Sequence, residues 1–255
     1  MAFDFIETDD AIAASGLRMT LVSQVPSPWG EAAKGILHIK GLEWSAVRLD
    51  VRNEAQCAWA GHDTAPAAVL NDEPGKARWN DLLFLFERLQ PQPSLLPIDP
   101  MDRALMLGLC HEILGEQGLA TLRRVVMVDA GLQGKGGFIT PVADYLAAKY
   151  GHSADLASLA RARVAQILAM LGERLDHQRK AGSAFFIGDR VSALDVYSAA
   201  AMAMFRPLSE DLCPMKETTR AAFETKDESD QALPPIVLEH RDMMYREYLE
   251  LPIAL

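Results

Sequence analysis

Between Gln90 and Pro100 the sequence reads QPQPSLLPIDP, four prolines in eleven residues. Proline has no N–H to donate and turns the residue before it away from the helical region. Neither a helix nor a central strand can cross such a stretch, so it predicts a linker between two bodies. The texture of the chain changes across it. Before it, short apolar runs alternate with helical stretches. Leu17–Ser23 (LRMTLVS), Trp44–Leu49 (WSAVRL) and Ala67–Leu70 (AAVL) predict strands, and Trp29–Lys40 and Asp81–Leu89 predict helices. Asn71–Gly75 (NDEPG) predicts a turn into a short fourth strand over Lys76–Trp79. The expected order is β-α-β-short segment-β-β-α. After the linker, strand signals nearly vanish. Met101–Gly115, Leu119–Ala130, Pro141–Tyr150, Ala154–Ala181 and Ser192–Phe205 predict helices, whereas the polar Thr218–Asp230 (TTRAAFETKDESD) predicts a surface loop. The organisation expected is an N-terminal extension over 1–16, an α/β part over 17–90, the linker over 91–100 and an all-helical part over 101–255.

Charge and cysteine usage narrow the function classes. The chain of 255 residues carries 25 Lys plus Arg against 35 Asp plus Glu, a formal net charge of -10. So acidic a chain, with no Lys/Arg run, is a poor partner for nucleic acid. Three widely spaced cysteines, Cys57, Cys110 and Cys213, with no CxxC, fit reduced thiols better than a disulfide framework. The first ten residues hold four acidic residues and no basic one, unlike a signal peptide. No run of 18 apolar residues suggests a membrane span. The expected location is the cytoplasm. Metal chemistry finds no support either. His111-Glu112 is not HExxH, since Gly115 stands at the second histidine position, and the other histidines show no ligand spacing.

Three positions could carry chemistry. Ser27-Pro28 lies between the first strand and the first helix. Serine is a good N-cap and proline suits the first helical position, so the pair is a plain helix start. The same geometry sets a hydroxyl among free N–H groups at the positive end of the helix dipole, which favours a neighbouring anion such as a thiolate. Ala65-Pro66 precedes the third strand, where a proline is tolerable if its bond is cis. Trp79-Asn80-Asp81 opens the next helix. Asn80 is expected as its N-cap, with N–H groups free for a carboxylate. Further on, GDRVSALD (188–195) predicts a capping box. Ser192 is its N-cap and Asp195 its third helical residue, with Val191 and Val196 set for a hydrophobic staple.

Taken together, these features resemble the cytosolic glutathione S-transferase family, over nearly the whole chain from about Leu17. The resemblance rests on the β-α-β-Pro-β-β-α half, the proline-bearing linker, the helical half and GDRVSALD, which is similar to that family's N-capping motif. It implies a thioredoxin-like α/β N-terminal domain plus an all-α C-terminal domain, with glutathione as co-substrate. It implies that Ser27 hydrogen-bonds the glutathione sulfur, and that Pro66 is the family's cis-proline, with the Ala65 backbone pairing with the cysteinyl part. The family's acidic-Ser pair for the γ-glutamyl end reads Trp79-Asn80 here. An indole offers no carboxylate to the glutamyl ammonium, while Asn80 and the helix N–H groups suit its carboxylate. The segment from Asp50 to Pro66 looks short for the family, which implies a reduced second helix. The resemblance further implies a homodimer and a small hydrophobic electrophile as second substrate. Two other readings stay open: a non-catalytic binding or assembly module with a degraded glutathione site, and a glutathione-dependent lyase, dehalogenase or thiol reductase.

Overall fold

The computed structural model describes residues 4–255. Strand β1 (Leu17–Leu21) is buried at every position, as a central strand with both faces covered must be. Strand β2 (Ser45–Arg48) pairs with it in parallel and β3 (Ala67–Leu70) antiparallel, giving the order β2-β1-β3. A parallel pair needs a crossover, and α2 (Pro28–Lys40) supplies it. Helix α3 (Glu54–Ala60) has seven residues, and α4 (Trp79–Leu89) follows β3. The expected fourth strand does not form. Lys76 makes one isolated bridge to Ala68, and the chain enters α4 three residues later, too soon for a ladder.

The residues ahead of β1 fold onto the sheet. Helix α1 (Thr8–Ala13) follows a parallel bridge from Ile6 to Val47. The Arg18 side chain is buried beneath it. Its guanidinium donates to the carbonyls of Ala11, Gly16 and Asn71 at 3.1, 2.7 and 2.9 Å, which satisfies a charge that burial would otherwise penalise.

The helical half comprises α5 (Pro100–Leu114), α6 (Leu119–Leu132), α7 (Thr140–Tyr150), α8 (Ala154–Lys180), α9 (Ala193–Ala201), α10 (Glu217–Glu224) and α11 (Pro235–Glu247). Helix α8 buries Ala160, Val164, Ile167, Leu171 and Leu175 along one stripe and packs on α6. Helix α9 is buried at every position and packs against α2, α5 and α11, so it joins the two halves. Gly35 of α2 makes the contact possible. A Cβ there would stand 3.0 Å from Val196 Cγ1 and 2.8 Å from Leu249 Cδ2.

The expected capping box forms. Asp195 Oδ2 accepts from the backbone N–H and the hydroxyl of Ser192, both at 2.8 Å. Asp195 Oδ1 accepts from Phe186 N–H at 3.0 Å and lies 2.9 Å from His240 Nε2. The linker is held by a buried ammonium. Lys40 Nζ lies 2.8 Å from Glu87 Oε1 and donates to the carbonyls of Gln90 and Pro93 at 2.8 and 2.9 Å. Glu87 also accepts from Leu95 N–H at 2.8 Å, and the Leu95 side chain is fully buried.

The surface loop expected over Thr218–Asp230 is instead helix α10 followed by a 3-10 turn at Glu228–Ala232. Its polar residues face a partner about a hundred positions earlier. Fully buried Arg123 of α6 donates to Asp227 Oδ2 and to the Thr225 carbonyl, and lies 3.3 Å from Asp230 Oδ2. An Arg123 without these partners would be a bare buried charge, so the pairing orders the segment.

Removing the Asp195 carboxylate strands four donors in the interior. Asp195→Ala is expected to cost roughly 3–5 kcal/mol, the range for breaking a buried charged network, and a shift of the urea unfolding midpoint checks it.

Candidate functional site

The two halves enclose a cleft of about 670 Å³. Its α/β wall is the turn between β1 and α2 together with the loop before β3. Thr20, at the end of β1, positions that loop: its hydroxyl accepts from Ala67 N–H at 3.0 Å. The Ala65–Pro66 bond is cis. Opposite it, Ser27 is the N-cap residue of α2, with extended backbone and Pro28 at the first helical position. The Ser27 carbonyl accepts from Glu31 N–H, but its hydroxyl makes no cap bond. A half-buried hydroxyl without a cap bond thus stands beside the first N–H groups of α2. Ser27, Ala65 and Pro66 line the cleft together.

Trp79 and Asn80 do not line that cleft. The Trp79 indole packs edge-on against Tyr197 of α9 with ring centroids 5.7 Å apart, and its carbonyl accepts the Tyr197 hydroxyl at 3.2 Å. This packing corrects the expected cap. Helix α4 begins at Trp79, Arg78 takes the N-cap position, and Asn80 is the second helical residue. A contact with the other half here outweighs a local capping preference. Burial, with Cys110 and Glu87 nearby, holds the Tyr197 phenol well above its usual pKa, so it stays neutral.

The cysteines stand apart. Cys110 is fully buried and Cys57 contacts the Val51 carbonyl; neither lines the cleft. Burial raises the Cys110 thiol, with Asp195 adding to the shift, and pushes Cys213 up to about 11. Neither thiol is a ready nucleophile near neutral pH.

The helical wall carries residues that sequence reasoning missed. Phe138, Val142, Tyr145, Tyr150 and Phe223 give an aromatic and apolar lining, with Arg124 and Lys149 as its cations. Lys149 Nζ donates to the Asp63 carbonyl at 2.8 Å and lies 3.2 Å from Asp63 Oδ2, tying α7 to the loop before Pro66. Trp29 Nε1 donates to the Leu114 carbonyl at 2.9 Å, a second tie across the cleft. No local pattern marks these residues; only their convergence from α6, α7 and α10 does.

Glu31 stands one turn below Ser27, buried beside Ser27, Gly30 and Pro66. Burial pushes its carboxyl above the ordinary range, opposed by Lys34 at 2.8 Å and reinforced by Glu250. A raised carboxyl stabilises the fold while protonated, and that contribution is lost as pH rises through the raised value. Glu31→Gln should therefore gain thermal stability relative to the natural chain as pH climbs above about 4, the ordinary carboxylate range. Melting curves at several pH values check it.

No protein-family model matches the sequence, and no curated protein matches it. Solved structures with the same architecture are many. A glutathione transferase family member from Pseudomonas fluorescens Pf-5, with two glutathione bound, has a TM-score of 0.64 at 12% identity, covering 94% of each chain. A glutathione S-transferase domain-containing protein from Marinobacter aquaeolei VT8 has a TM-score of 0.63 at 18% identity, over 91% of this chain and all of that one. A β-etherase from Sphingobium sp. strain SYK-6 has a TM-score of 0.57 at 15% identity, over 89% of this chain and 99% of that one. The chain has the fold of the glutathione transferases, a thioredoxin-like domain joined to an all-helical one. Among the described residues no helix is long and apolar enough to cross a membrane.

Proposed function

We propose that the protein is a glutathione transferase-like enzyme that keeps the glutathione thiolate populated for attack on a small hydrophobic electrophile. The observation that carries this reading is that Ser27, whose hydroxyl makes no cap bond, lines a large and mainly apolar cleft together with Ala65 and Pro66. In this reading the tripeptide lies along the α/β wall, with its cysteinyl part against the Ala65 backbone. Ser27 donates to the sulfur, and the α2 N–H groups add a positive potential. A free thiol has a pKa of about 8.5, so a donor that favours the anion raises the thiolate fraction near pH 7. The sulfur then forms a bond to the electrophilic carbon, the leaving group departs with its electron pair, and the thiol proton passes to solvent. The similar structures that hold glutathione support the choice of co-substrate.

The γ-glutamyl end would meet the start of α4, where Trp79-Asn80 replaces the family's acidic-Ser pair and neither residue lines the cleft. That observation favours a second reading, a non-catalytic module built on the same fold. Titration calorimetry with glutathione and conjugation of a model electrophile separate the two. On the catalytic reading Ser27→Ala lowers kcat/KM roughly 10- to 100-fold, from about 1.5–3 kcal/mol for a hydrogen bond to a charged group. It also raises the thiol pKa read from the pH profile. No heat at millimolar glutathione overturns it.

A homodimer belongs to the same reading. Ile98 and Met101 are 95% and 77% exposed, and Phe84 and Leu105 add apolar surface on α4 and α5. Such apolar exposure suits an interface between copies. Light scattering should give twice the mass of one chain, and Ile98→Glu combined with Met101→Glu should shift it toward the monomer.

A further inference from the structure

Two adjacent arginines on α6 have different fates. Arg123 is enclosed by Asp227, Asp230 and the carbonyls of Met204 and Thr225. Arg124 is half-buried and faces the cleft. Its guanidinium carbon lies 3.9 Å from the centroid of the Tyr150 ring and 5.1 Å from that of Trp29. Among the described residues its contacts are with rings, and no carboxylate or carbonyl pairs with it. The other charges on the cleft do not fill this role. Lys149 is paired with Asp63, and Glu116 is exposed at the rim.

Rings that pack on a guanidinium steady its plane and leave its fork of N–H donors for a planar acceptor. A cation partly withdrawn from water beside apolar side chains, without a counter-charge, carries a cost that a bound anion lowers. Burial lowers the Arg124 pKa, with Tyr150 opposing, in keeping with a group that lacks its anion. Phe138, Tyr145 and Phe223 supply apolar and aromatic surface to the same space. We infer that the second ligand of the cleft is an aromatic carboxylate, with its ring against this lining and its carboxylate on Arg124. The inference deepens the transferase reading and rests on it for the chemistry that follows binding.

The test compares 4-nitrobenzoate with its methyl ester, which keeps the ring and removes the charge, by titration calorimetry on the full chain without glutathione. The acid is expected to bind about tenfold tighter than the ester, as a charge-assisted pair at a half-buried guanidinium allows. Arg124→Gln should bring the two within about twofold of each other, and Arg124→Lys should keep part of the preference. On the natural chain, added salt should weaken the acid and spare the ester. Equal binding of acid and ester, no binding of either at millimolar concentration, or an Arg124→Gln variant that weakens both alike overturns the inference. A parallel glutathione titration keeps the two readings apart. Glutathione binding without acid preference removes only this inference, and acid preference without glutathione binding removes only the transferase reading.

Discussion

The Asp195 carboxylate is the point on which the arrangement turns. It is wholly excluded from solvent and engages the backbone of Ser192 and Phe186, the Ser192 hydroxyl and the ring of His240. A charge in that position is tolerable only with every donor in place, so it fixes where α9 starts and which way it runs. Helix α9 in turn sets α2 through the close approach at Gly35, and α2 carries Ser27. Ala193 N–H also donates to the Leu95 carbonyl, so the linker is bound to the same start point. One interior carboxylate thereby positions a hydroxyl at the opposite end of a packed pair of helices.

The polar interior of the helical half follows the same logic with a different outcome at each residue. Arg123 is closed off by two carboxylates and orders the α10 region. Asp129, on the same helix, is held below the usual carboxylate range although burial opposes it, because Arg161, His152 and Gln133 all donate to it. Arg123 also packs on the Phe205 ring, but of the three only Arg124 meets rings without an opposite charge. The contrast between neighbours shows that its environment comes from the shape of the cleft, since the three share one helix.

Much of the fold was legible in the sequence because it follows from local rules. The prolines of 90–100, the N-cap series at Ser192 and the helical periodicity of α8 each act within a few residues. What was not legible depended on distant partners. Thr218–Asp230 looks solvated until Arg123 is beside it, and Asn80 looks like a cap until Trp79 finds Tyr197. The short strand over Lys76–Trp79 failed because β3 meets only one residue after its turn. At the candidate site, Ser27, Ala65 and Pro66 could be named because each sits at a junction with its own chemistry. The helical wall could not be named, since the facing of α6, α7 and α10 toward the cleft is a product of packing.

The Lys149–Asp63 tie holds two sides of the cleft only lightly. It joins the lip formed by α7 to the loop that ends in Pro66, and its carboxylate is 70% exposed. An ion pair so wetted is worth about 0–1 kcal/mol. The bond from the same ammonium to the Asp63 carbonyl adds a second, shorter contact. The two sides of the opening are joined there without being locked.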